Sequence, residues 1–232
     1  MPEHSAEDLG KIELLCDLSK SVLSDTAKSC RWRSYSANEQ IIDRQSEATE
    51  VFFVVEGRVR VVNYSISGRE ITLDDVDAGG HFGELAAIDG EPRSASVMAL
   101  SYCSVAIMAQ DNFLALINEN ASIALKVMRG LASIIRNSTE RIMDLSTLAA
   151  NNRVQADLLR LALNNRNSNN TACLSPIPVH ADIASRVSTT RETVARVMNH
   201  LARQGIVERK KNVLVIQDVQ LLQKMVEEIR GE

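Results

Sequence analysis

The chain has 232 residues, a length that suits one large domain or two ordinary ones. Its 45% apolar composition is that of a soluble globular protein, and no apolar run approaches the length needed to cross a bilayer. The net charge of −4 argues at first against a nucleic-acid partner, but the charge is unevenly spread. Up to Ala149 there are 14 Lys and Arg against 22 Asp and Glu, a net of −8; beyond it there are 12 against 8, a net of +4. An acidic front and a basic back suggest separate jobs. The N-terminus, MPEHSAEDLG, lacks the basic-then-apolar layout of a signal peptide, so a cytoplasmic protein without membrane association is expected. Cys16, Cys30, Cys103 and Cys173 show no C-x-x-C spacing, which predicts free thiols packed as small apolar groups.

From Glu7 to Lys28 the apolar spacing (Leu9, Ile12, Leu15, Leu18, Val22, Leu23) is helical, broken by Ser and Asp. Then the period changes. Short β-branched segments at 31–35, 40–42, 51–55, 58–64, 70–73, 95–99 and 103–108 are punctuated by turn residues at Glu56-Gly57, Ser67-Gly68 and Gly79-Gly80. Strands at this spacing predict a sandwich or jelly-roll barrel. A glycine-rich stretch, Gly79 to Val97, interrupts it where a pocket mouth is expected.

That stretch reads GGHFGELAAIDGEPRSASV and supplies donors for an anion. A helical turn starting near Glu84 presents unpaired N–H groups. Arg93 adds a planar guanidinium that can grip two phosphate oxygens, and Ser94 adds a hydroxyl. Glu84 only accepts, so its natural partner is a donor on the same ligand, such as a ribose hydroxyl. Taken alone, Glu84 and Arg93 fit an ordinary ion pair equally well. The segment also resembles the phosphate-binding cassette of cyclic-nucleotide-binding domains, F-G-E-L-A-L-x-x-x-x-P-R-x-A-x-V, with Phe82, Gly83, Glu84, Leu85, Ala86, Pro92, Arg93, Ala95 and Val97 in place. The resemblance implies that Gly83, Leu85 and Ala86 approach the nucleotide, Glu84 takes the ribose 2′-hydroxyl, and Arg93 and Ser94 hold the cyclic phosphate.

Helix is expected again from Gln110 to about Asn151, with no Pro in it. A seam at alternating spacings of four and three runs through Ala124, Met128, Leu131, Ile135, Ser138, Ile142, Leu145 and Ala149. Paired through it, two such helices make a parallel two-fold dimer; packing of the helix on its own barrel is the alternative. The seam is apolar except at Ser138, beside Thr139. The stretch STERIMDLSTLAANNR resembles the long helix and hinge of the bacterial CRP/FNR family. That resemblance implies that Ser138 and Thr139 touch the purine, in swapped Thr/Ser order, with a hinge at Asn151-Asn152. The plainer alternative is a polar position tolerated within a seam.

A further helix ends near Leu163, and the polar segment NNRNSNNTACLSPIP reads as a solvated, mobile loop. In the family, a loop here contacts RNA polymerase, an implied partner. Two short helices then meet at Val187-Ser188-Thr189, the second with a capping box from Thr189 to Glu192, and a hairpin with the basic tip Lys210-Lys211-Asn212 follows. This is a winged helix-turn-helix, and T-x-R-E-T-V-x-R-V resembles the recognition helix of the CRP subgroup. It implies that Arg191 and Arg196 read guanine and Glu192 the opposite cytosine of a GTGA half-site, with Thr190, Thr193, Lys210 and Lys211 on phosphate. The alternative makes Glu192 a cap and the arginines phosphate clamps. Val179 departs from the family's Thr or Ser cap, and a helical tail, DVQLLQKMVEEIRGE, follows the wing.

The expected architecture is α+β: a cyclic-nucleotide-binding β-roll at 1–109, a dimerisation helix at 110–151 and a winged helix-turn-helix DNA-binding domain at 152–232. The expected function is a homodimeric, cyclic-nucleotide-gated regulator, an activator, binding palindromic double-stranded DNA. Cyclic AMP is the expected ligand and cyclic GMP the alternative, since Ser94, Ser138 and Thr139 can both donate and accept. No metal, haem or iron–sulfur cluster is expected: Cys16 and Cys30 form no tight cluster, and haem held through His81 is the less favoured alternative. An enzyme is not expected either, since the Glu84–Arg93 pocket lacks a metal cluster and a His in a base motif.

Overall fold

The computed structural model describes residues 6–231. It contains two compact units, one up to Ile134 and one from Ile135.

The first unit begins with α1 (Ala6–Leu9) and α2 (Lys20–Ser29), the latter capped by the Ser19 hydroxyl. Then follow β1 (Cys30–Tyr35), β2 (Gln40–Ile42), β3 (Val51–Glu56), β4 (Arg58–Tyr64), β5 (Glu70–Asp77), β6 (His81–Phe82), α3 (Glu84–Asp89), β7 (Ser96–Ala99), β8 (Cys103–Met108) and α4 (Gln110–Glu119). The strands form two antiparallel sheets of four, ordered β1-β8-β3-β6 and β2-β7-β4-β5, the expected β-roll. Residues 51–55 read as an unbroken apolar run, VFFVV, because β3 is buried on both faces. Phe52 and Val54 belong to the core of the roll with Tyr35, Phe82 and Val97. Val51 and Phe53 face the other way, against Leu9, Ile12, Phe113, Ile123 and Val127. Two features escape the sequence pattern. Strand β5 continues past Leu73 to Asp77, and the two-residue β6 pairs with Phe52 and Phe53 between glycines.

The expected single helix from Gln110 to Asn151 is divided at Asn120 into α4 and α5 (Ala121–Thr147), and the further helix expected to end near Leu163 is α6 (Ala150–Asn164). Asn120 leaves helical dihedrals (φ −128°, ψ 92°) while its side-chain amide donates to the Leu116 carbonyl, ending α4 locally. The second break lies at Leu148-Ala149 rather than Asn151-Asn152, which lie in the first turn of α6. Ser146 and Thr147 donate their hydroxyls to the carbonyls four residues back, which weakens the last turn of α5. Leu148 is buried in the second unit's core and its carbonyl accepts from Arg153 at 2.8 Å, which fixes the break there.

The second unit continues with β9 (Ala172–Leu174), α7 (His180–Arg186), α8 (Arg191–Arg203), β10 (Val207–Lys210), β11 (Val213–Ile216) and α9 (Val219–Arg230). The segment expected to be a mobile polar loop instead supplies β9, which pairs with β11 to make a three-stranded sheet. Ala172 and Leu174 are buried and anchor it. The tail is structural: Val219, Leu222 and Val226 of α9 join the core built on α6, α7 and α8. A chain of charges ties four helices together. Arg230 meets Asp144 at 2.8 Å, Asp144 meets Arg160 at 3.4 Å, Arg160 meets Asp157 at 3.2 Å, and Asp157 meets Arg186 at 2.9 Å.

Two of the four thiols depart from expectation. Cys30 and Cys103 are buried, and burial pushes the Cys30 thiol up to about 11, whereas Cys16 and Cys173 are exposed.

Candidate functional site

The glycine-rich segment turns on Gly83, which caps α3 with left-handed dihedrals (φ 86°) and no capping side chain. The N–H groups at the start of α3 are thereby left to other acceptors. A Cβ on Gly83 would lie 2.7 Å from Nη1 of Arg93 and 2.9 Å from the Glu50 carbonyl, so only glycine fits.

Arg93 is 5% exposed and stands 5.7 Å from the Phe52 ring centroid. Its Nη1 donates to the Gly83 carbonyl at 2.9 Å and its Nη2 to the Glu50 carbonyl at 2.7 Å, while the Glu50 carboxylate lies 3.8 Å away. Its Nε is buried and has no hydrogen-bond partner among the described residues. Burial pulls the guanidinium below its usual range, opposed first by Glu50 and then by Glu84. A buried cation with an unpartnered donor is the feature that calls for an anionic acceptor. The ion pair open to Glu84 is not what holds Arg93; Glu50, unremarked in the sequence because no motif marks it, supplies both the carbonyl and the nearer carboxylate.

Glu84 and Leu85 are half-buried at the start of α3 and Ala86 is buried beneath it, while Ser94 is exposed. The Ser94 carbonyl accepts from the Asn63 amide at 3.3 Å, and Asn63 Oδ1 is a second buried polar atom without a partner among the described residues. Asn63 is a further candidate that the sequence reading missed, lying in β4 far from the cassette in the chain. Ser138 and Thr139 belong to the other unit, exposed on α5, where the Thr139 hydroxyl donates to the Ile135 carbonyl. The apolar seam residues Met128, Ile135, Ile142 and Leu145 are likewise exposed.

In the second unit, Val194, Val197, Met198 and Leu201 bury one face of α8 at helical spacing, which turns Arg191, Glu192, Arg196 and Arg203 outward. The cap of α8 is Thr190, accepting from the Thr193 N–H at 3.3 Å, not Thr189 paired with Glu192. Thr189 lies one residue too early because Ser188 takes left-handed dihedrals (φ 51°) in the turn. The Glu192 carboxyl is held below its usual range by its own backbone N–H, then by the Thr190 hydroxyl. At the wing tip Lys211 (φ 46°) is exposed, and Lys210 pairs with Glu208 at 2.9 Å. Arg209 is exposed beside them and adds a cation that the motif-based residue set omitted.

Residues 32–120 match the cyclic nucleotide-binding domain family and residues 152–225 the Crp-like helix-turn-helix domain. The chain belongs to the CRP/FNR family of transcriptional regulators. Two of its curated CRP-type relatives are the cAMP-activated global transcriptional regulators CRP of Haemophilus influenzae and Vfr of Pseudomonas aeruginosa. The first is 26% identical over 188 residues, covering 81% of this chain and 84% of the relative. The second is 28% identical over 191 residues, covering 81% and 89%. The cyclic AMP receptor protein of Thermus thermophilus is 28% identical over 195 residues, covering 83% and 87%. In three dimensions the chain resembles a CooA mutant from Carboxydothermus hydrogenoformans, with a TM-score of 0.78, 23% identity and 97% of each chain covered. As a CRP/FNR member the chain is a cyclic-nucleotide-binding-type regulator with a helix-turn-helix, in a family of regulators rather than enzymes. Among its described residues no helix is long and apolar enough to cross a membrane, and no group of three His, Cys, Asp or Glu could hold a metal ion.

Proposed function

We propose that this CRP/FNR regulator is a homodimer whose DNA binding is gated by a cyclic nucleotide, with cyclic AMP preferred. The observation that carries the reading is the buried Arg93 Nε, a charged donor lacking an acceptor beside the glycine start of α3. A cyclic phosphate supplies two oxygens to a guanidinium fork and a single negative charge to a buried cation. Glu84 accepts from the ribose 2′-hydroxyl, Ser94 donates to phosphate, and Leu85 and Ala86 line the approach. Ser138 and Thr139 contact the purine across the paired α5 helices, whose exposed apolar residues supply the dimer seam. Ligand contacts that differ between two arrangements of the break at Leu148-Ala149 shift the population of the winged units. Three relatives carrying cyclic AMP in their names support this choice of ligand over cyclic GMP.

Arg191 and Arg196 read guanine and Glu192 reads cytosine of a GTGA half-site, while Thr190, Thr193, Lys210 and Lys211 hold phosphates. For Glu192 this requires release from the Thr190 hydroxyl. Calorimetric titration with cyclic AMP and cyclic GMP tests the ligand assignment. The expected result is tighter binding of cyclic AMP, weakened at least about tenfold in Arg93→Ala and less in Arg93→Lys, which keeps charge but loses the fork. Wild-type affinity in Arg93→Ala would refute the pocket.

A further inference from the structure

Glu50 stands between two arginines at the edge of the cassette. Its Oε2 lies 3.8 Å from Nη2 of Arg93, whose side chain is 3% exposed, and its Oε1 lies 3.7 Å from Nη2 of the exposed Arg31. Its own side chain is 33% exposed, so its charge is neither fully solvated nor fully buried. We propose that Glu50 is an affinity-setting residue: its carboxylate competes with the phosphate of a bound cyclic nucleotide for the single positive charge of Arg93. The inference rests on reading the cassette as a cyclic-nucleotide pocket and adds a residue that sets how much nucleotide the pocket requires.

The charge balance around Arg93 works against a further anion. Within the pocket wall Arg93 is one cation that feels two carboxylates, Glu50 more than Glu84. A cyclic phosphate brings a third anion to that one cation. Glu84 repays its charge by accepting a ribose hydroxyl, whereas Glu50 has no donor to meet on the phosphate, which is itself only an acceptor. Its carboxylate therefore opposes the ligand. Arg31 offsets part of this opposition from the solvent side.

The structural and electrostatic roles of Glu50 separate cleanly. The short contact to Arg93, 2.7 Å, is made by the Glu50 backbone carbonyl, not by its carboxylate. Removing the charge with Glu50→Gln thus keeps the bond that positions the guanidinium and the shape of the side chain.

The test is a calorimetric titration of the full-length protein with cyclic AMP at low and high salt, for wild type, Glu50→Gln, Glu50→Asp, Arg31→Gln and the double variant Glu50→Gln/Arg31→Gln. Glu50→Gln is expected to bind about three- to tenfold more tightly, the size of one like-charge contact at a partly exposed site. The gain shrinks with added salt. Glu50→Asp stays near wild type. Arg31→Gln weakens binding about twofold in the wild-type background and has no effect once Glu50 is neutral. Unchanged or weaker binding by Glu50→Gln overturns the proposal, and weaker binding would assign the carboxylate a positioning role instead. A wild-type protein that binds no cyclic nucleotide fails differently: it removes the pocket reading itself and this inference with it.

Discussion

Gly83 and Arg93 define each other's conformation. The carbonyl of Gly83 accepts from Arg93 Nη1 at 2.9 Å, and the space a Gly83 side chain would need is filled by that same nitrogen, 2.7 Å from an ideal Cβ. Gly83→Ala meets both a strained backbone (φ 86°) and this clash. It is expected to cost about 1–3 kcal/mol of stability and to displace the guanidinium. Thermal unfolding and nucleotide titration check the two effects, and both should appear together.

The pH dependence of folding has one traceable source near the cassette. Burial pulls the His81 imidazole below its ordinary value of 6.5, with Glu84 and then Glu13 opposing. The unfolded chain therefore takes up a proton that the folded chain resists, so stability falls as pH drops below about 6.5. Urea midpoints are expected to decline between about pH 7.5 and about pH 5.5, with a shallower decline in His81→Gln. Equal slopes would assign the dependence to other groups.

The charge chain through α5, α6, α7 and α9 makes the C-terminal helix part of the DNA-binding unit. Asp144, 6% exposed, is shared between Arg230 and Arg160. Asp144→Ala leaves two arginines facing each other and is expected to cost about 2–4 kcal/mol. Arg230→Gln removes only the outer pair and costs about 1–2 kcal/mol, since Arg160 still neutralises Asp144. Chemical denaturation of both variants and of their combination measures the coupling. Additive losses would mean that Arg230 and Asp144 act independently.

If Ser138 and Thr139 transmit the ligand signal, replacing both with Ala removes the nucleotide dependence of DNA binding while nucleotide still binds at the cassette. Fluorescence anisotropy of a labelled duplex, with and without cyclic AMP, reads this directly. A double variant that responds like wild type would sink the transmission route and leave the pocket intact.

Much of the fold was legible because its signals are local. Short β-branched runs between turn residues marked seven strands, and the stretch T-x-R-E-T-V-x-R-V marked α8. The cassette was legible because Gly83, Glu84 and Arg93 lie within eleven residues of each other. What was missed depends on distant partners. Strand β9 exists because β11 pairs with it, and nothing in NNRNSNNTACL advertises that edge. The breaks in the long helix lie at Asn120 and at Leu148-Ala149, where a side-chain bond to a carbonyl and a buried anchor outweigh an otherwise helical pattern. Glu50, 43 residues from Arg93, carries no motif at all.

The central claim, that a cyclic nucleotide licenses sequence-specific DNA binding, is tested most directly by selection from random duplexes with and without saturating cyclic AMP. The account predicts recovery, only with nucleotide, of a palindrome carrying two inverted GTGA-type half-sites about 34–36 Å apart, one helical turn between centres. Glu192→Ala should relax one position of that site by roughly 1–3 kcal/mol. Replacing Lys210 and Lys211 should weaken all sequences alike and flatten the salt dependence. Recovery of the same site without nucleotide, or of no palindrome with a GTGA core, would contradict it.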